Sequence, residues 1–188
     1  MSILILLVLA VVASIYAGRQ EGDAAPASRA AWARLIAYWV FTVAVAYENT
    51  AGAWWDLLNI KFIRELMAHL GYPPYIAYIE GVPRIPFVLA VLLPRFARLK
   101  EWAYAWTFFT YGGIAVSEFL VGSRLWVRTL VFCGGVLVSW ILRPPSRKLG
   151  NSAPTTRPSA LAWSVPLIVA AAMVAVAYLN VPTYGPPQ

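Results

Sequence analysis

Long apolar runs alternate with short polar linkers along the chain. A run of about 17–25 apolar residues can cross a bilayer as an α-helix, and several runs reach or approach that length. They cover residues 2–17, 35–52, 75–93, 102–121, 125–142 and 160–179. The linkers contain the proline, glycine and basic residues that end helices. The pattern predicts an all-α integral membrane protein in which residues 1–188 form a single membrane domain.

The segment between the second and third runs has a different pattern. Apolar residues recur at helical spacing in this segment, and charged residues occupy the other faces. The apolar residues are Leu58, Phe62, Leu66 and Leu70. Gly71 suits a helix C-cap, and the two prolines shortly after it prevent continuation of the helix. We therefore expect a short amphipathic helix at about 56–70 that lies on the membrane surface. It is either a plain connector or a lid over a site that opens on that side.

Composition supports the membrane interpretation. Hydrophobic residues make up 61% of the chain, and the mean hydropathy is +0.66. A soluble domain of 188 residues could not bury that much apolar surface. The net charge of +7 does not indicate nucleic-acid binding, because the basic residues lie at the ends of the apolar runs rather than in one patch. Membrane lipid is the expected surrounding, and nucleic acid is not an expected partner.

The basic residues are distributed unequally between the two sides of the predicted bundle. Most fall in the linkers on one side, and these are Arg19, Arg29, Arg34, Arg95, Arg98, Lys100, Arg143, Arg147, Lys148 and Arg157. The other side has Lys61, Arg64, Arg124 and Arg128. Because the richer side is normally cytoplasmic, we expect a multi-pass protein of the cell membrane with both termini outside. The first run lacks the positively charged leader of a signal peptide, so we expect it to be a retained transmembrane helix.

A single cysteine and a single histidine limit the redox and metal chemistry of the chain. Cys133 lies inside an apolar run and has no second cysteine with which to form a disulfide or a dithiol redox pair. His69 alone cannot make a bis-histidine haem site or a two-histidine metal site within one chain. We therefore expect no metal and no resident cofactor.

Charged residues inside the apolar runs are the candidates for chemistry. Each costs about 2.5–3.5 kcal/mol near a helix centre unless it is paired or hydrated. Counting about 1.5 Å per residue from the ends of the runs places all of them in the outer half of the bilayer. They are Glu48, Glu80, Arg84, Glu118 and Arg128. We expect these side chains to face one another around a polar cavity, and we expect no comparable cluster in the inner half.

The stretch around Glu80 and Arg84 combines charges with helix-disrupting residues. The two charges are four residues apart, so we expect them to pair within their own helix. Pro83 and Pro86 disrupt the nearby backbone hydrogen bonds, which is tolerated where the backbone lines a polar cavity.

Glutamates outnumber arginines in this layer, so one carboxyl is expected to lack a cation. A protonated acid beside an ionised one suits general acid–base catalysis. The predicted catalytic residues are Glu48, Glu80 and Glu118, and the predicted supporting residues are Arg84, Arg128, Tyr111, Asn49 and Tyr47. The alternative is that the cluster only holds the helices together.

Several short motifs, in order and spacing, resemble the DoxX-like integral membrane proteins over about 37–142. They are "YWVFT" at 38–42, "MAHLGYPPY" at 67–75, "GVPR" at 81–84, "LLP" at 92–94, "RLKEWAYA" at 98–105 and "GGIAVSEFLVG" at 112–122. The resemblance implies a four-helix transmembrane core within 35–142, to which the runs 2–17 and 160–179 are accessory helices. It also implies an association with quinone-linked sulfur oxidation or with membrane oxidoreductase complexes.

The polar positions of the motifs differ from the pattern of the family. Arg84 stands where the family commonly has lysine, and Glu118 stands where it usually has histidine after the serine that matches Ser117. Glu48 occupies a position that tends to be apolar in the family. The pocket of the family is therefore kept, but its chemistry is altered.

Three functions remain open from the sequence. The first is an intramembrane enzyme that uses acid–base chemistry to isomerise or cyclise a lipophilic molecule such as a terpenoid, or to open an epoxide in it. The second is a quinone-binding subunit of a membrane oxidoreductase, which would require a protein partner to carry the electrons. The third is a non-catalytic accessory or assembly protein of the membrane.

Overall fold

The computed structural model describes residues 3–19, 26–150 and 158–182, and these residues are helical apart from the connections between helices. The α-helices are α1 (Ile3–Arg19), α2 (Arg29–Leu57), α3 (Lys61–His69), α4 (Ile76–Leu92), α5 (Ala97–Leu120), α6 (Trp126–Leu142) and α7 (Ala160–Leu179). A short 3-10 helix, Pro145–Arg147, follows α6. The prediction of an all-α protein is confirmed, and each predicted apolar run corresponds to one of the longer helices.

Two helices of the described chain are long and apolar enough, by length and composition alone, to cross a membrane. They are α2 and α7. Two further apolar helical stretches are shorter, Leu4–Arg19 in α1 and Trp126–Leu142 in α6. The number of membrane crossings therefore stays a prediction.

α2 is the central helix of the bundle. It packs against α4 and α6, while α5 packs against α6 and α4. α1 and α7 pack against each other and also against α2. Tyr38, Trp39 and Val43 on α2 are at most 1% exposed and belong to the main apolar core. The helices within 35–142 thus form one group around α2, and α1 and α7 add to it.

Glycines allow α2 and α4 to approach closely. A Cβ atom on Gly81 of α4 would lie 2.9 Å from the Cβ atom of Asp56 on α2. A Cβ atom on Gly52 of α2 would lie 2.2 Å from Nη1 of Arg84 on α4. Both distances are too short for any other residue to fit without movement of its neighbour. Small residues at such positions are how membrane helices bring their backbones together.

The amphipathic helix is shorter than predicted. α2 continues to Leu57, and α3 begins only at Lys61, so the predicted start at about 56 is wrong. α3 itself is amphipathic as expected, since Phe62 and Leu66 are buried. Gly71 follows it with φ +74°, the left-handed conformation that ends a helix.

The end of the bundle opposite α3 contains buried cations, and the sequence pattern places both of them in linkers outside the apolar runs. Lys100 and Arg147 are both 0% exposed. Nζ of Lys100 donates to the carbonyl oxygen of Leu93 at 2.5 Å. Arg147 donates to the carbonyl oxygens of Val91 at 2.6 Å and Leu92 at 3.1 Å. These carbonyls at the end of α4 lack hydrogen-bond donors within the helix, and the two cations donate to them instead.

Candidate functional site

A cavity of about 490 Å³ lies at the α3 end of the bundle, between α2, α3, α4, α5 and α6. Every acidic and basic residue predicted for the site lines this cavity, and so does Tyr111. These acidic and basic residues are Glu48, Glu80, Arg84, Glu118 and Arg128. The structure therefore brings together side chains that lie on four helices and are widely separated in the sequence.

α2 supplies one wall of the cavity through residues spaced four apart. Glu48, Gly52 and Asp56 follow one face of the helix and all line the cavity. Asp56 is 4% exposed, and the sequence analysis did not identify it as a site residue. Its spacing of two turns from Glu48 was the signal that could have found it. The apolar pattern hides this signal, because it ends the second run at residue 52 and places Asp56 in the amphipathic segment.

Arg84 forms its ion pair between helices rather than within α4. Its Nε atom lies 3.3 Å from Oδ2 of Asp56 on α2, and both side chains are at least nine-tenths buried. The expectation that Arg84 pairs with Glu80 is wrong, because the α2 carboxylate takes that place. The terminal nitrogens of Arg84 donate to no group among the described residues. The guanidinium also lies 5.9 Å from the centre of the Tyr111 ring, within cation–π range.

Glu80 and Glu118 have different surroundings. Oε2 of Glu80 is buried and has no hydrogen-bond partner within the described residues. Glu118 is 2% exposed and accepts a hydrogen bond of 2.7 Å from the hydroxyl of Thr129 on α6. A hydrogen-bond donor favours the ionised carboxylate, whereas burial without a donor disfavours it. The two carboxyls therefore differ in hydrogen bonding, because Glu118 has a donor among the described residues and Oε2 of Glu80 has none.

Tyr111 lies on α5 and is held by Asn49 of α2. Nδ2 of Asn49 donates to the Tyr111 hydroxyl at 3.1 Å and to the backbone carbonyl of Val45 at 2.9 Å. Asn49 is 1% exposed and lies behind the wall of the cavity, where it positions the tyrosine ring.

Tyr47 does not line the cavity. It is half-buried against the main apolar core. Successive residues of an α-helix are about 100° apart, which points Tyr47 away from the face that Glu48 occupies, and a supporting role for Tyr47 stays a prediction.

α3 covers the cavity on one side. Phe62, Leu66 and Met67 contribute apolar lining from this helix. Just after α3, the Tyr72 hydroxyl lies 2.7 Å from the hydroxyl of Ser117 on α5. This hydrogen bond connects the end of the α3 segment to the opposite wall. The choice between a plain connector and a movable lid stays a prediction.

The charges of the cavity do not balance. Glu48, Asp56, Glu80 and Glu118 face two cations, Arg84 and Arg128. Arg128 is exposed at the start of α6, whereas Arg84 is 8% exposed and already paired with Asp56. In the described part of the chain, no group of three His, Cys, Asp or Glu side chains is placed to hold a metal ion. The lining therefore offers proton donors and acceptors together with guanidinium groups.

The family model of the DoxX-like family matches residues 40–142, which is more than half of the chain. The chain therefore belongs to the DoxX-like family and is a membrane protein. No curated protein and no solved structure matches it. The matched range covers α2 from residue 40 to its end together with α3 to α6, and it leaves the first part of α2, α1 and α7 outside.

Proposed function

We propose that this member of the DoxX-like family is a membrane enzyme that performs acid–base chemistry on a lipophilic small molecule bound in the cavity. The observation that carries the proposal is the surplus of carboxyl groups in one cavity, where four carboxyls face two guanidinium groups. The reactions that such a lining suits are isomerisation, cyclisation and epoxide opening, with a terpenoid as an example of the substrate class. None of them needs a redox centre.

The surroundings of the carboxyls suggest their roles in the proposed reaction. Glu80 is the candidate acid, because its buried Oε2 has no described donor that would stabilise a negative charge. Glu118 is the candidate base, because the Thr129 hydroxyl stabilises its carboxylate. Arg84 is the candidate for orienting an oxygen of the substrate, since its terminal nitrogens are uncommitted among the described residues. Glu48 is the further candidate for proton transfer from the α2 wall.

The rest of the lining suits a molecule that is largely apolar. Phe62, Leu66, Phe109 and Ile114 line the cavity beside the charged groups. The volume of about 490 Å³ lies within the range of about 300–1,000 Å³ that small-molecule sites usually have. An aromatic wall could also stabilise a positive charge that develops during cyclisation.

The proposal includes a location for the site in the membrane. The cavity lies at the α3 end, and the buried cations and basic linkers lie at the other end. If the basic end is cytoplasmic, the cavity lies in the outer half of the cell membrane and both termini are outside.

The test begins with mass spectrometry of the organic extract from the gently purified full-length chain, followed by a turnover assay on the lipophile that is recovered. Glu80→Gln and Glu118→Gln should each lower turnover by about 10²–10⁴-fold, the usual contribution of a general acid or base. Their melting temperatures in lipid nanodiscs should remain close to that of the parent. Glu65→Gln is the matched control, because Glu65 pairs with Lys61 on the exposed face of α3.

Other outcomes would contradict the proposal in recognisable ways. Full turnover in both cavity variants would remove the acid–base mechanism. Variants that lower the melting temperature without any associated activity would favour the accessory or assembly protein. A stoichiometric quinone, recovered together with a partner that carries a redox chromophore, would favour the oxidoreductase subunit.

A further inference from the structure

A second cavity, of about 340 Å³, lies between α2, α4 and α7. Its lining is almost entirely apolar and includes Trp54 of α2, Ile85 and Leu89 of α4, and Ala171 and Val174 of α7. We call this cavity the α7 groove. Its shape depends on α7, where small residues at 170 and 171 leave room beside α4.

Arg84 connects the α7 groove to the polar cavity. Its side chain lines both spaces, because it crosses between α2 and α4 at the position that Gly52 leaves open. In the groove it is the single charged member of the lining in the described chain. An apolar lipid tail alone would leave the terminal nitrogens of Arg84 without an acceptor. A ligand with an acceptor group at one end and an apolar chain at the other would satisfy both the arginine and the groove.

We propose that the α7 groove binds the apolar chain of a long-chain anionic amphiphile whose head group accepts hydrogen bonds from Arg84. This inference rests on the proposed function, because it names the class of molecule that the polar cavity takes. The chain lies along α7, and the head group lies at the guanidinium of Arg84, where the groove meets the polar cavity. α7 lies outside the matched range 40–142, so the groove is a feature that this chain adds to the matched part of the DoxX-like bundle.

Photo-crosslinking tests the groove directly. The full-length protein in phosphatidylcholine nanodiscs is irradiated with a palmitic-acid analogue that carries a diazirine near the end of its chain, and the labelled residues are mapped by mass spectrometry. We expect labelling to concentrate on the groove-facing residues of α2, α4 and α7. Excess unlabelled palmitate should reduce it about tenfold, whereas methyl palmitate, which lacks the anionic head, should not.

Variants on α7 provide a matched pair for this experiment. Ala171→Trp fills the groove from an exposed position and should reduce the labelling about tenfold. Ile168→Trp adds the same ring at a residue that is 66% exposed and does not line the groove. Photo-labelling of this variant should therefore equal that of the parent. In Arg84→Gln, excess unlabelled palmitate should no longer reduce the labelling. A different result would overturn the inference. In that result the labelling is spread over the apolar surface of the bundle, is equal in both tryptophan variants and is not displaced by palmitate.

The inference and the proposed function can fail separately. In Glu80→Gln, labelling should still be reduced by excess palmitate, although turnover is lost. If labelling is specific but Glu80→Gln remains fully active, the acid–base mechanism is wrong and the groove stands. If Glu80→Gln is inactive but labelling is non-specific, the proposed binding of an amphiphile in the groove is wrong and the acid–base mechanism stands.

Discussion

Nε of Arg84 lies 3.3 Å from Oδ2 of Asp56, and this buried ion pair joins α4 to α2 beside the polar cavity. The pair forms where the two helices pack closely at Gly81, whose absent side chain leaves room for Asp56. Because both partners are buried, each charge depends on the other for compensation. The pair therefore links the stability of the bundle to the geometry of the cavity.

Removal of one partner of this pair should be strongly destabilising. Asp56→Asn leaves the Arg84 guanidinium buried without its carboxylate, and the expected loss is about 3–5 kcal/mol of unfolding free energy. Replacement of both residues, as Asp56→Leu with Arg84→Leu, should recover most of that loss, because no uncompensated charge remains. Thermal unfolding in detergent micelles measures both effects.

The exposed pair between Lys61 and Glu65 is the control for the buried pair. Its atoms are 3.6 Å apart, and the side chains of Lys61 and Glu65 are 70% and 42% exposed. Loss of an exposed pair of this kind costs about 0–1 kcal/mol. If Glu65→Gln lowered the melting temperature as much as Asp56→Asn, burial would not be the reason for the larger effect.

The close approach of α2 and α4 should make Gly81 intolerant of a side chain. In Gly81→Ala the new Cβ atom would lie 2.9 Å from Cβ of Asp56, close to the α2 backbone, so the helices must move apart. The expected loss is about 1–3 kcal/mol of unfolding free energy, typical of an overpacked contact.

Gly134→Ala in α6 is the matched control, because a Cβ atom there meets nothing within 4 Å. It should be neutral or stabilising by up to about 1 kcal/mol through helix propensity alone. Equal effects of the two alanine substitutions in thermal unfolding would show that the α2–α4 contact is looser than the structure indicates.

The helices and most of the cavity could be predicted from the sequence. Uninterrupted apolar runs define membrane helices well, and a charge within such a run is rare enough to mark a site on its own. Glu48, Glu80 and Glu118 were found in this way, and the structure places them in one cavity. Their catalytic roles stay predictions.

The errors at Arg84 and Lys100 share one cause, which is that tertiary contacts do not follow local spacing. Arg84 was paired with Glu80 because the two lie four residues apart, but the carboxylate that contacts it is on another helix. The sequence places Lys100 in a connecting segment, since a charge near the end of a run is ordinarily exposed, but the side chain is fully buried. Periodicity carries no information about a carbonyl group or an ion that reaches such a residue from a different part of the chain.

Lys100 should stabilise the end of α4 that is opposite the cavity. It is fully buried, and its ammonium group donates to the carbonyl oxygens of Ala90 and Leu93. Lys100→Met removes these charged donors and leaves the carbonyls unsatisfied, with an expected loss of about 1.5–3 kcal/mol. Arg98→Met, at an exposed position of the same helix, should change the melting temperature little. Similar losses in both variants would assign the effect to the net charge of the linker instead.

The stability of this end of the bundle should also depend on pH through Glu101, which precedes the predicted run 102–121. Burial raises the pKa of Glu101, but hydrogen bonds from Trp140 and Arg143 and the charge of Arg143 outweigh it, so the pKa lies below its usual range. The bond distances are 2.7 Å from Nε1 of Trp140 and 2.8 Å from Nη2 of Arg143. A lowered pKa means that the ionised carboxylate is favoured more strongly in the folded state than in the unfolded state.

The contribution of Glu101 should therefore be fully present above the unfolded-state pKa of about 4.3 and lost as the pH falls through the lower folded-state pKa. Melting temperatures measured between neutral pH and about pH 3 should decline in that window. Glu101→Gln should be less stable than the parent at neutral pH. Its melting temperature should also decline less as the pH falls, because the carboxylate whose protonation destabilises the parent is absent. An identical pH dependence in the parent and in Glu101→Gln would show that other carboxyls govern acid unfolding.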